Sequence, residues 1–136
     1  MVDGSGIPLA SRVSAANVHD VCGLLPTVVA CPLGDHGTAE RLPDRLYGDR
    51  AYGSAGHEAI LEWMGIEPVL AHRNTPHGSG LGRVRYVVER TIANVHQNRR
   101  LKVRYERRSD IHQAFLTLAC IKVCWNRLPK KLKRAK

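Results

Sequence analysis

Asp49 stands in the run LYGDRAYGS, residues 46–54, just past a short strand candidate, with a glycine before it and another shortly after. In open α/β sheets, ligands meet the carboxyl ends of the strands. A carboxylate there has the chemistry to hold a divalent cation, and it equally has the chemistry of a turn or cap residue. A second polar constellation lies in the run RVRYVVERTIANVHQNRR, residues 83–100. On a helix, Arg85, Glu89 and His96 fall within about 40° of one another. An ordinary Arg85–Glu89 helical salt bridge accounts for the same spacing. The third constellation is cationic: Arg99, Arg100, Lys102, Arg104, Arg107 and Arg108. Interleaved with Leu101, Val103 and Tyr105, these residues have the alternation of a half-buried strand, one face anchored and the other offering cations to phosphates.

The elements that must position these groups follow from periodicity and punctuation. Met1–Ala10 has two apolar pieces around Asp3-Gly4-Ser5-Gly6 and predicts a β-hairpin. A chain opening on an edge strand suggests a missing predecessor. Asn17 or Asp20 is placed to cap a helix from Val21, which Pro26 tolerates only in its first turn. Residues 31–44 read as a surface loop, and Arg45–Gly48 as a strand. Gly53–Met64 has amphipathic spacing, with Gly65 as its stop. Glu67–Ala71 is a second strand candidate, and residues 72–82 form a loop. Arg83–Arg99 carries Val84, Val88, Thr91/Ile92 and Val95 on one helical stripe. The last helix runs from Ser109 or Asp110 to about Leu128, and its middle, AFLTLACIKVCW, is apolar nearly all round and expected to be buried. The order of elements predicts an α/β or α+β fold with a mixed sheet and flanking helices.

With 136 residues, one domain is the default, and a TIM barrel is excluded. Apolar residues make up 43% and charged residues 24%, which rules out wholesale disorder. No stretch reaches the ~18 uncharged apolar residues of a membrane span, and the opening MVDGSGIPLA, without a basic region and an apolar core, does not predict a secretory leader. The net charge of +9 is divided sharply: residues 1–82 carry −4 and residues 83–136 carry +13. That asymmetry points the C-terminal part at a polyanion, nucleic acid first. The tail LPKKLKRAK is read as a polyanion contact or as a solvated basic end. Cys22, Cys31, Cys120 and Cys124 have no zinc-finger spacing. They predict reduced core thiols and a disulfide-free, cytoplasmic protein.

The runs VDGSGIPLA, SAANVHD, RLYGDRAYGS, TPHGSGLGRVRYVVERTIANVHQNRRLKVRYERR and AFLTLACIKVCWNRL together resemble the C-terminal part of bacterial insertion-sequence DDE transposases, from Val2 to about Leu128. The resemblance implies a partial ribonuclease H-like fold over residues 1–128, followed by a basic tail at 129–136. It implies a cofactor pair of Mg²⁺ or Mn²⁺ ions, and phosphodiester cleavage of transposon-end DNA followed by strand transfer into target DNA. By the same resemblance Asp49 and Glu89 match two of the three catalytic, metal-binding carboxylates. Arg85 matches the arginine one turn before that glutamate. DNA contacts fall to Arg85, Arg99, Arg100, Lys102, Arg104, Arg107 and Arg108. A tyrosine of the wider family is replaced by Gly82, and His96 stands where the family has a basic residue, a place that Arg99 or Arg100 is the alternative to fill.

The family's first aspartate, on a strand before the opening hairpin, has no counterpart here. Asp3 matches the turn after the second strand, and Asp20 matches a recurrent family position suited to helix capping or to supporting the metal site. With one of three carboxylates lacking, organised in-line attack is not expected of this chain alone. The expected partners are DNA and either a transposase oligomer or an upstream-frame companion. The alternative is a catalytically inactive DNA-binding remnant that inhibits a full-length transposase.

Overall fold

A computed structural model describes residues 1–31, 42–72 and 82–129, leaving aside the Arg83 side chain. Most of the loop predicted at residues 31–44, most of that at 72–82 and most of the basic tail lie outside the described residues. The protein is α/β and divides into two compact units, residues 14–85 and residues 1–13 with 86–136.

In the first unit, Asp20–Gly23 forms a 3-10 turn that runs into α1, Leu24–Val29. His19 is the N-cap of that turn, so neither Asn17 nor Asp20 caps it, and Asp20 sits in the first turn instead. An acidic side chain is favourable there because the first N–H groups point towards it. Pro26 lies in the opening turn of α1, where its missing N–H costs no bond. Strand β1, Arg45–Gly48, pairs in parallel with β2, Glu67–Leu70, in the register Arg45–Glu67 through Gly48–Leu70. The helix α2, Ala55–Trp63, connects them and packs on β2.

The sequence itself ends α2. Gly65 adopts φ +78° and donates to the Glu62 carbonyl at 2.9 Å. Ile66 N–H reaches the Leu61 carbonyl at 2.9 Å. This is the Schellman pair, and it needs a residue that enters the left-handed region cheaply. Leu61 and Ile66 at its two ends are among the most deeply buried side chains, alongside Val28.

The second unit begins with the predicted hairpin, reduced to an antiparallel bridge between Val2 and Pro8. The sheet described is therefore purely parallel rather than mixed, and the antiparallel pairing belongs to the other unit. Asp3 builds the hairpin turn. Its carboxylate accepts the N–H groups of Ser5 and Ile7 at 2.9 and 2.7 Å, and the Ser5 hydroxyl as well. Burial works against the charge on Asp3, but these bonds prevail and hold its pKa below the ordinary carboxylate value.

Helix α3, Gly82–His96, crosses from one unit into the other. Its buried stripe runs through Thr91 and Val95, while Ile92 is half exposed. The Thr91 hydroxyl bonds the carbonyls of Gly6 at 2.9 Å and Val87 at 3.1 Å, which makes its burial affordable. Gly6 has φ +86°, and a Cβ there would come within 2.8 Å of that hydroxyl. The long helix α5, Ser109–Arg127, ends at Leu128, whose extended backbone is what a following proline imposes.

On α5, Ala119 and Val123 join Val95 in a small core, with Leu101, Leu116 and Cys120 packed against it. The expectation that the middle of α5 is buried all round does not hold. Leu118, Ile121 and Trp125 are each more than half exposed. The core neighbours occupy one side of the helix, so the opposite apolar side has no cover among the described residues.

The thiols are all free, but Cys22 is exposed rather than part of the core. Burial raises the pKa of Cys31, as it does for an inert core thiol. No described helix is long and apolar enough to cross a membrane.

Candidate active site and nucleic-acid interface

Asp49 sits where the sequence places it, exposed, at the carboxyl end of β1. Its backbone carbonyl accepts Tyr52 N–H at 3.1 Å, and its Oδ1 accepts Ala51 N–H at 2.9 Å. One carboxylate oxygen thus orders the turn. The turn role and the exposed-ligand role are not exclusive, because a carboxylate offers about four acceptor positions.

The two glycines around Asp49 have a packing reason. A Cβ on Gly48 would approach Leu70 Cδ2 to 2.6 Å, and one on Gly53 would collide with the carbonyl oxygen of Ala71. Ala71 N–H in turn bonds the Gly48 carbonyl at 3.1 Å. The GDRAYG loop therefore lies against the end of β2: at Gly53 the backbone oxygen of Ala71 leaves room for hydrogen alone, while at Gly48 a Cβ would displace the end of the Leu70 side chain.

Tyr52, half-buried, supplies an electrostatic reading of this corner. Burial, then the negative charges of Asp20 and Asp49, raise its phenol above the ordinary value. Asp20 and Asp49 thus both act on the Tyr52 phenol, although they lie 29 positions apart in sequence. Sequence reasoning did not single out Tyr52, and its only signal was its place three residues after Asp49.

Arg85 and Glu89 stand one turn apart on α3, both exposed, and His96 is exposed near the end of the same helix. Asp49 belongs to one unit and Glu89 to the other. As to metal chemistry, carboxylate oxygens suit hard divalent cations such as Mg²⁺ or Mn²⁺. Asp49 and Glu89 are chemically fitted to that role, while no group of three acidic, histidine or cysteine side chains gathers among the described residues.

The basic segment departs from its predicted form. In place of a half-buried strand, Arg99–Lys102 forms a one-turn helix, α4, packed on α5, and an irregular stretch follows to Arg108. Val103 and Tyr105 are about half exposed. The alternation fails because the segment closes on itself. Arg100 Nη1 donates to Glu106 Oε1 at 2.7 Å, and Arg104 Nε donates to the Glu106 carbonyl at 3.1 Å. The Glu106 side chain is only 7% exposed, and Arg100 holds its carboxyl below the ordinary value.

These contacts sort the cations. Arg100 is engaged by Glu106 and lies over the Phe115 ring, 5.3 Å from its centroid. Arg108 makes two bonds to Asp110, the shorter at 2.6 Å. Arg99, Lys102 and Arg107 are exposed and have no ion pair among the described residues. Those three are the cations most available to an external phosphate. Glu106, the organiser of the segment, was missed at the sequence level, where the excess of positive charge masked it.

Comparison with known proteins adds an independent line. A family described as Transposase DDE domain matches residues 1–124. A Burkholderia cepacia protein described as a transposase for insertion sequence element IS402 is 51% identical over 130 residues, which is 94% of this chain. The chain spans 62% of that relative's length. No solved structure matches significantly.

Proposed function

Because the chain belongs to the DDE transposase family, we propose that it is the C-terminal portion of a catalytic domain that cuts and rejoins DNA. The observation that carries this reading is Asp49, exposed at the carboxyl end of a parallel strand and fixed there by a turn whose two glycines allow close packing on β2. The β1–α2–β2 unit is compatible with a partial ribonuclease H-like sheet.

In this reading Asp49 and Glu89 hold Mg²⁺ or Mn²⁺. When bound, the cations supply Lewis-acid stabilisation of charge on a scissile phosphodiester. The chain's own residues bind and orient. Ala51 N–H fixes the Asp49 carboxylate. Arg85 neutralises phosphate near Glu89, and Arg99, Lys102 and Arg107 fix the register of the DNA backbone. Arg100, Arg104 and Arg108 shape the segment that presents them, and add charge to the DNA-facing surface. The DNA is a transposon end and then a target, and the working form is an oligomer or a complex with an upstream companion.

The test is Mn²⁺ titration followed by calorimetry on the whole chain. Asp49→Asn and Glu89→Gln each weaken binding, and the double variant loses less than the sum of the two, as ligands of one site do. Wild-type titrations in both single variants overturn the assignment.

A second reading is favoured by Arg99, Lys102 and Arg107, which have no ion pair among the described residues: a DNA-binding protein without cleavage, competing with a longer transposase. A band-shift assay beside a Mn²⁺ nuclease assay separates the two. Binding without cleavage, both alone and with the remainder of the B. cepacia relative supplied, selects the second.

A further inference from the structure

Beside the basic segment lies a cleft of about 290 Å³ within the unit of residues 1–13 and 86–136. Its apolar floor, as we call the non-polar part of the lining, comes from Leu101, Phe115, Leu118 and Ala119, and its rim, the cationic part, from Arg99, Arg100 and Lys122. Among the described residues no acidic side chain lines it. The rim is organised. Lys122 Nζ is held by Asn98 Oδ1 at 3.0 Å, and Arg100 is pinned between Glu106 and the Phe115 ring. Arg99 is exposed and has no such tether among the described residues.

A duplex backbone presents phosphates but no apolar face, so it has no use for the floor. A purely apolar ligand has no use for three cations. A ligand with a flat aromatic body and an anionic group uses both, because bases stack on aromatic rings and guanidinium planes while ammonium and guanidinium groups take the phosphate. The volume, at the lower end of ligand sites, suits one such unit rather than a duplex. We propose that this cleft takes a single nucleotide, supplied by an unpaired position of a DNA strand whose flanking duplex lies on the basic segment. The inference rests on the DNA-binding reading and adds a site that recognises unpaired DNA.

The experiment uses the full chain and three probes: a blunt duplex, the same duplex with a short unpaired tail carrying 2-aminopurine, and free deoxyadenosine monophosphate. Affinities are read by anisotropy and by calorimetry, and burial of the base by 2-aminopurine quenching. The tail strengthens binding about tenfold over the blunt duplex and is quenched. In Leu118→Gln, that advantage falls below about twofold while blunt-duplex affinity is retained. Leu118 is 59% exposed, so this change spares the fold, and circular dichroism verifies it. Phe115→Leu, which keeps an apolar floor but removes the ring, gives an intermediate loss.

A duplex that binds with no gain from the tail, while free nucleotide does not bind, overturns the cleft and leaves the DNA reading standing. Failure of all three probes to bind overturns both. Free nucleotide bound in a Leu118-dependent way, with no gain from the tail, keeps a nucleotide site and overturns the DNA strand as its source.

Discussion

Gly6 and Thr91 illustrate how single residues set geometry 85 positions apart in sequence. Gly6→Ala introduces a side chain at φ +86° and against the Thr91 hydroxyl. The expected loss is about 1–3 kcal/mol, read as a lower urea midpoint with an unchanged slope. Around Asp49 the residue-scale expectation is electrostatic. Asp49→Asn removes one of the charges that disfavour the Tyr52 phenolate, so the phenol titrates at lower pH. Difference absorbance against Tyr52→Phe isolates that tyrosine from the other three in the chain. An unchanged titration would place the Asp49 carboxylate out of electrostatic reach of Tyr52.

Acidity tests three carboxylates together. Asp3, Glu106 and Asp110 all have folded pKa values below their ordinary ones. A depressed carboxyl contributes stability that is present above the unfolded value and lost as pH falls through the folded one. Stability is therefore expected to hold above about pH 4.5 and to drop on acidification below it. Glu106→Gln removes part of that acid-dependent limb, because the Arg100 pair no longer titrates. The check is a set of denaturant midpoints measured across pH for the wild type and the variant.

At the scale of elements, the irregular stretch that follows the opening hairpin is held by a side chain. Gln113 of α5 donates through Nε2 to the Ser11 carbonyl at 3.1 Å and accepts Val13 N–H at 2.8 Å. One amide thus satisfies two backbone groups of that stretch. Gln113→Leu leaves both backbone groups without that partner, for an expected loss of about 1–3 kcal/mol. Amide exchange at Val13 then approaches the rate of an open strand, and unchanged protection there would overturn the role. The basic segment gives the other element-scale expectation. Arg99→Ala with Arg107→Ala weakens binding to any DNA sequence and flattens its salt dependence, because each cation that meets a phosphate releases a counterion. Arg100→Ala loses less of the salt slope, since its charge is already engaged by Glu106.

For the molecule as a whole, the core is small and much apolar surface is open. Trp63 is 86% exposed and Trp125 54%. Tryptophan emission close to that of indole in water, with ready quenching by acrylamide, is expected of the chain alone. Exposed apolar area of this kind promotes association. Supplying the part of the B. cepacia relative that lies beyond the match is expected to shift the emission to the blue and raise the melting temperature. No change in either would separate these tryptophans from any such interface.

Much of the local structure was determined by the sequence. The Gly65 stop, the strand at Arg45–Gly48, the tolerance of Pro26 in a first turn and the span of α5 follow from backbone conformations that only certain residues allow. Asp49 at a strand end was legible for the same reason. What the tertiary structure decided are matters of partnership. Alternation in residues 99–108 predicts a strand, but a strand exists only where a neighbour completes its ladder, and Glu106 gathers Arg100 and Arg104 instead. Apolar content predicts burial of the α5 centre, but burial depends on which faces meet other elements, and only the side carrying Ala119 and Val123 does. The linked charges of Asp20, Asp49 and Tyr52 were not legible for the same cause: electrostatic reach depends on distance through the fold, which spacing along the chain does not encode.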